Sequence, residues 1–298
     1  MIAPSQVRRR PRIAAFVALT KPRIIELLLV TTVPTMIVAE GGVPSLWLMV
    51  ATVVGGTLAA GGANAFNMYV DRDIDALMER TTTRPLVTGE VTPSEALWFA
   101  TAIEVVSFVW RWGVVNLLSA VLAVSATLFY VFIYTLWLKR TSTHNIVIGG
   151  AAGAVPVLVG WSAVTNSLAW PPVLLFAIIF YWTPPHFWAL AIRYRDDYQA
   201  ADVPMLPAVA TLRETATKIL AYTVLLWGLT LLFTPVAGMG WIYTASAVVC
   251  GGVFTGLALQ VYRRPEPALA MRLFGWSITY LMVLFAAMAV DEIVRNGV

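Results

Sequence analysis

Long apolar runs, separated by short polar punctuation, cover almost the whole chain. Nine of them are long enough to cross a bilayer: residues 24–40, 45–68, 94–111, 114–138, 145–165, 171–192, 217–237, 241–262 and 272–291. About 20 residues at about 1.5 Å each span the hydrocarbon layer. In lipid a segment must satisfy its own backbone hydrogen bonds, so runs of this length predict helices. The short alternating segments of a membrane β-barrel do not occur. The pattern therefore predicts an all-α integral membrane protein, with residues 1–298 forming one transmembrane domain of nine helices. Residues 69–93 and 193–216 are the longest connections, and long loops in a compact protein tend to carry function. On the opposite side the hairpins are short: Glu40–Pro44, Asn166–Leu168 and Gly238–Gly240.

Charge orients this pattern. Sorted by side, 18 of the 20 Lys and Arg residues fall with the N-terminus and the two long loops, leaving only Arg111 and Arg295 on the other side. The positive-inside rule then places the N-terminus and both long loops in the cytoplasm and the C-terminus outside. Residues 1–20 read as a cytoplasmic tail, since the first apolar run is broken by Lys21 and Arg23 and is then too long for a signal peptide. Composition agrees: 59% of the 298 residues are hydrophobic and 12% charged, about half the charge of a soluble domain. The net charge of +4 is spread between apolar runs, which argues against a nucleic-acid partner. The single cysteine, Cys250, can form no intrachain disulfide.

Candidate chemistry begins where the second run ends. In Asn64–Arg80, four polar residues recur at every fourth position: Asn67, Asp71, Asp75 and Glu79. On a continuous helix these would share one face. Carboxylates so arranged repel unless something positive lies among them. Two readings stand: a hard divalent cation such as Mg²⁺, or a solvated helix end whose acids pair with Arg72 and Arg80. A second acidic stretch, carrying Asp196, Asp197 and Asp202 beside Arg193 and Arg195, follows the sixth run. Alone it reads as a salt-bridged loop. With the first, it suggests Mg²⁺ ions held around a diphosphate, and Arg23, Arg80, Arg84, Lys139 and Arg140 lie on the same side to grip the remaining phosphate oxygens. Thr183-Pro184-Pro185-His186 interrupts the sixth run, where two prolines predict a kink. Glu104, inside the third run, is an intramembrane acid with two readings, a functional group or a partner of Arg111 near the outer interface. His144 reads as a cap or interface residue at the start of the fifth run.

Asn67-x3-Asp71-x3-Asp75 followed by Arg80-Thr-x2-Arg84-Pro85-Leu86 resembles the first aspartate-rich motif of the UbiA superfamily of intramembrane prenyltransferases. Thr20-Lys21-Pro22-Arg23, Leu138–Thr141 with Asn145–Gly150, and Pro184-Pro185-His186-Phe187 through Pro207 resemble its heme-modifying branch. The second motif of the superfamily, two aspartates four apart, has no match here beyond Asp196, Asp197 and Asp202, and its tyrosine-x3-lysine stands as Tyr134-x4-Lys139. The resemblance implies a helical bundle around a lipid-open cavity, and transfer of a farnesyl group from farnesyl diphosphate to a vinyl group of protoheme IX (heme B), giving heme O and diphosphate. It implies catalytic roles for Asn67, Asp71, Asp75, Asp197 and Lys139, and Mg²⁺ held by Asn67, Asp71, Asp75, Asp196, Asp197 and Asp202. Substrate binding falls to Arg23, Arg80, Arg84, Arg140, Arg193 and His186. His186 is either a ligand of the heme iron or a helix-break histidine bonding a freed carbonyl. The bilayer of a cell inner membrane, and heme A synthase or terminal-oxidase assembly downstream, complete the implied partners. Prenylation of a quinone precursor or another aromatic ring is the nearest competing activity. Divalent-cation transport would need acids near the bilayer midplane, whereas these cluster at one interface.

Overall fold

The computed structural model describes residues 10–297, with the side chains of residues 23–29 excepted. It is helical throughout. A short amphipathic helix α1 (Arg12–Leu19) precedes α2 (Pro22–Glu40) and α3 (Leu46–Val70). The first long loop contains a single turn α4 (Arg72–Asp75) and a 3₁₀ turn, Glu79–Thr81. Then come α5 (Pro93–Val114), α6 (Leu117–Thr141), α7 (Asn145–Thr165) and α8 (Trp170–Arg193). The second long loop holds the short α9 (Arg195–Ala200) and α10 (Leu206–Val209). The chain closes with α11 (Leu212–Ala237), α12 (Trp241–Arg263) and α13 (Pro267–Asn296). Among the described residues, eight helices are long and apolar enough to cross a membrane. The remaining long helix, α2, has 19 residues and coincides with the first apolar run.

Local signals explain the boundaries. α2 starts on Pro22, whose fixed φ suits a first helical turn. α5 starts with a capping box, in which the Thr92 hydroxyl accepts from Glu95 N and the Glu95 carboxylate accepts from Thr92 N. Thr211, Asn116 and Ser45 cap α11, α6 and α3 in the same manner. Gly41 and Gly238, both at positive φ, end α2 and α11 in the short hairpins.

α8 stays helical through Pro184 and Pro185, from Trp170 to Arg193. The prolines withdraw two backbone donors, yet buried packing around Trp182, His186 and Trp188 holds the segment helical. One expectation about local structure fails, that of the polar stripe. α3 ends at Val70, Asp71 is its C-cap and α4 is one turn long, so Asn67, Asp71, Asp75 and Glu79 do not lie on one helix. The bonds Asp71 N to Asn67 O (2.9 Å) and Asp75 N to Asp71 O (2.8 Å) nevertheless carry the four-residue step across the break. Glu79 leaves the set and is exposed.

Successive long helices pack as neighbours from α3 through α13, and α13 closes the bundle against α2 and α8. The larger core, built mainly by α8, α11, α12 and α13, buries Trp188, Phe233, Tyr243, Phe254, Tyr280 and Phe285. In lipid such contacts are held by dispersion and shape, because tails are as apolar as the side chains. α3 buries small residues instead, among them Ala51, Gly55, Ala59 and Gly62. At Gly62 a Cβ would stand 2.6 Å from Glu104 Cγ, so α5 approaches only because the position is glycine. Glu104, near the middle of α5, accepts from the Thr127 hydroxyl (2.9 Å), and Arg111 donates to Ser107 (3.1 Å), so the two form no ion pair. Trp47, Trp112, Trp170 and Trp241 are exposed at one end of the bundle, and Trp98 and Trp137 at the other, as in an interfacial aromatic belt.

Candidate active site

The break after α3 gathers the polar residues. Asn67, Asp71 and Asp75 are 3%, 0% and 2% exposed, so charges that a helix end would hydrate are buried here. Burying a carboxylate is costly unless it is paired and hydrogen-bonded. Each is paired. The Lys139 ammonium contacts Asp71 Oδ2, Arg84 contacts Asp75, and Arg140 Nη2 stands 3.7 Å from Asp71 Oδ1. Arg140 also grips Asp73 with two bonds of 2.7 Å and donates to Val70 O (3.1 Å). That grip holds the Asp73 carboxyl down at about 2. Lys21, at φ 52 just before α2, donates to Asn67 Oδ1 at 2.8 Å. Burial, with Arg84 and Lys139 close by, pushes its ammonium well below the ordinary lysine range.

The cations Lys21, Arg84, Lys139 and Arg140 thus crowd around Asp71 and Asp75. The cluster holds repelling positive groups that an added anion would relieve. One atom is left over: Asp71 Oδ1 is buried with no hydrogen-bond partner. Buried polar atoms are rarely left without a hydrogen bond, and a bound cation is one partner that would satisfy such an oxygen. The oxygen donors Asn67 Oδ1, Asp71 and Asp75 suit a hard cation such as Mg²⁺. Tyr130 and Tyr134 of α6 stack at 5.3 Å beside this cluster.

α6 contributes through an unusual winding. Residues Phe129–Leu138 are π-helical, with bonds to the fifth residue instead of the fourth. Tyr134 and Lys139, five apart, therefore lie on one face, and the extra residue between them is absorbed by the backbone.

The second acidic stretch is built differently. Asp197 is half-buried and accepts from Arg80 N at 3.5 Å, whereas Asp196 and Asp202 are exposed. Asp202 sits at φ 51 after α9. Among the described residues no three acidic, His or Cys side chains converge as a metal cage. Arg80 links the loops: it donates to the Tyr198 hydroxyl (3.2 Å), and its guanidinium lies 5.3 Å from the Tyr198 ring and 5.9 Å from that of Tyr194. Burial pushes the Tyr198 phenol up. Arg193 is exposed at the end of α8, and the side chain of Arg23 lies outside the described residues.

His186 is buried on α8 between Trp182 (4.2 Å) and Phe274 (4.6 Å). Its Nδ1 is 2.6 Å from Ser277 Oγ, and that hydroxyl donates to Phe274 O at 2.6 Å. Serine has one proton to give, so Nδ1–H donates to it and Nε2 keeps its lone pair. The side-chain partner is thus a serine of α13, not a carbonyl freed by the prolines. His144 stands at the N-cap position of α7, exposed and without a side-chain cap bond.

Sequence reasoning missed Lys21 and Thr135, which bracket Asn67 from α2 and α6. Lys21 stood inside a recognisable stretch, where attention fell on Arg23. Thr135 had no signal, because an uncharged residue in an apolar run looks like packing.

Comparison with known proteins gives three findings. The sequence profile of the UbiA prenyltransferase family matches residues 28–287. The chain is 53% identical to the protoheme IX farnesyltransferase of Streptomyces avermitilis over 95% of each chain. It is 54% identical to that of Clavibacter michiganensis subsp. michiganensis, over 94% of this chain and 92% of the relative. Among solved structures, a digeranylgeranylglyceryl phosphate synthase superposes with a TM-score of 0.79 at 16% identity, covering 95% of this chain and 99% of that one. A UbiA homolog from Archaeoglobus fulgidus bound to GPP and Mg²⁺ does so at 0.66 and 15% identity, covering 92% and 99%. These likenesses establish the fold.

Proposed function

The chain belongs to the UbiA prenyltransferase family, and on that premise we propose that it transfers the farnesyl group of farnesyl diphosphate to a vinyl group of protoheme IX, releasing diphosphate and yielding heme O. The observation that carries this reading is the buried cluster in which Lys21, Arg84, Lys139 and Arg140 surround Asp71 and Asp75 and leave Asp71 Oδ1 without a hydrogen bond.

Farnesyl diphosphate is an allylic ester, and its C–O bond ionises when the leaving diphosphate is stabilised. Arg84, Lys139 and Arg140 aim fixed positive charge at the departing oxygens in a site shielded from water, where each contact is stronger than in solvent. Arg80, Arg193 and Arg23 contribute from the loop and helix ends. Mg²⁺ would be held by Asn67, Asp71 and Asp75, with Asp197 as an outer partner and the exposed Asp196 and Asp202 outside the set, and would supply Lewis-acid neutralisation of the diphosphate. The Tyr130 and Tyr134 ring faces flank the allylic cation, favouring it electrostatically and excluding water. The vinyl π-electrons form the new C–C bond, and water then adds to the resulting cation with loss of a proton. No protein nucleophile takes part.

His186 holds the acceptor. Ser277 fixes the Nδ1–H tautomer, which leaves Nε2 to ligate heme iron, the usual arrangement of a metal-binding histidine. The site faces the cytoplasmic leaflet of the cell inner membrane, and the heme O product passes to the enzymes that complete or insert it.

The test is product identity. Membranes containing the chain, given heme B, farnesyl diphosphate and Mg²⁺, should yield a porphyrin heavier by a farnesyl group plus a hydroxyl. Release of diphosphate with intact heme would move the acceptor to a quinone precursor or other ring. For His186→Ala, the Soret band on heme titration should shift and affinity should fall; an unchanged spectrum and affinity would remove His186 from the acceptor site.

A further inference from the structure

The π-helical stretch of α6 has a further consequence for Asn67. Thr135, fully buried, donates its hydroxyl proton to Tyr130 O, five residues back, at 2.8 Å. Threonines in the α-helical segments reach four residues back, as Thr52 does to Leu48 O and Thr183 to Ile179 O. With its proton committed to Tyr130, the Thr135 oxygen acts as an acceptor, and Asn67 Nδ2 donates to it at 3.1 Å. The second Nδ2 proton goes to Asp71 Oδ2 at 2.7 Å. Lys21 can only donate, and it meets Asn67 at Oδ1. Every bond has one direction, so the amide has one orientation, with its oxygen turned toward Lys21 and its nitrogen shared between Asp71 and Thr135.

We propose that Thr135 is a positioning residue for the divalent-cation site, holding Asn67 so that its oxygen and not its NH₂ faces the ion. This rests on the diphosphate-and-cation reading above. The amide of an asparagine is nearly symmetrical in shape, and a flipped one would present hydrogen atoms to a cation. The π winding is what turns the Thr135 hydroxyl onto Asn67 while its proton is kept by Tyr130. Partners that orient a metal ligand typically contribute about 10–100-fold to affinity.

The experiment uses the full-length purified chain in detergent, with Mn²⁺ and inorganic diphosphate as probes and free Mn²⁺ read by electron paramagnetic resonance. Thr135→Val keeps the shape and loses the hydroxyl; Thr135→Ala is the second variant should valine disturb folding. Both should weaken Mn²⁺ binding about tenfold or more, with the thermal midpoint of the metal-free chain held near wild type. Thr135→Ser should restore wild-type binding, which a purely steric role would not produce. If wild type binds Mn²⁺ and both hydroxyl-free variants bind it equally well, the positioning role is wrong. If wild type with diphosphate binds no Mn²⁺, the cation reading itself fails, whatever the variants do.

Discussion

The two acidic loops have similar composition and occupy the same end of the bundle, yet they differ in what surrounds them. Asp71 and Asp75 are buried and matched to Lys139, Arg140 and Arg84. Asp196 and Asp202 are exposed, and Asp197 accepts from the Arg80 backbone at the limit of hydrogen bonding. The first loop is therefore preorganised, its charges desolvated and fixed before any ligand arrives. In the second, Arg80 lies over the rings of Tyr194 and Tyr198 and its backbone meets Asp197. Electrostatic groups are worth most where water is excluded and reorganisation is already complete. Acid-rich spacing alone does not make a strong site; burial among cations does.

The contrast can be broken at several points. Chelation by EDTA should abolish farnesyl transfer in membranes, with recovery on adding Mg²⁺; transfer that persists through exhaustive chelation would remove the cation from both loops. Lys139→Ala strips the preformed loop of its closest cation and should lower kcat about 10²-fold, in the range seen when one transition-state donor is lost. It also leaves Asp71 less compensated, so the thermal midpoint should fall as well. Asp197→Asn should cost about tenfold in kcat/KM, as for an outer partner of a metal site. Asp196→Asn and Asp202→Asn, both exposed, should each cost about threefold or less, since a solvated charge contributes little. A larger loss at Asp202 than at Lys139 would invert the order and make the second loop the organised one.

Much of the architecture was legible in the sequence. The apolar runs coincide with the long helices to within a few residues, because lipid leaves the backbone no other way to satisfy itself. Asp71 and Asp75 were legible as a pair, since the four-residue step survives the end of α3 through two backbone bonds. What escaped depends on backbone geometry without a residue code. The end of α3 at Val70, which releases Glu79 to solvent, has no glycine or proline to announce it. The π winding of α6 is a register change among aromatic and aliphatic residues, and neither the Tyr134–Lys139 alignment nor the Thr135–Asn67 bond can be seen without it. α8 keeps its helical winding through Pro184 and Pro185, because packing on its neighbours offsets the two lost bonds.

The most direct test of the preformed site is a paired measurement of Mg²⁺-dependent farnesyl transfer to heme by wild type and Asp71→Asn, with folding monitored by thermal unfolding. The substitution keeps the shape of the side chain and removes the charge that Lys139 and Arg140 face. A folded Asp71→Asn chain whose transfer falls about 10²–10³-fold, with a higher Mg²⁺ requirement, is the predicted result. A folded variant that transfers at the wild-type rate with unchanged Mg²⁺ dependence would contradict the assignment of the buried cluster as the diphosphate site.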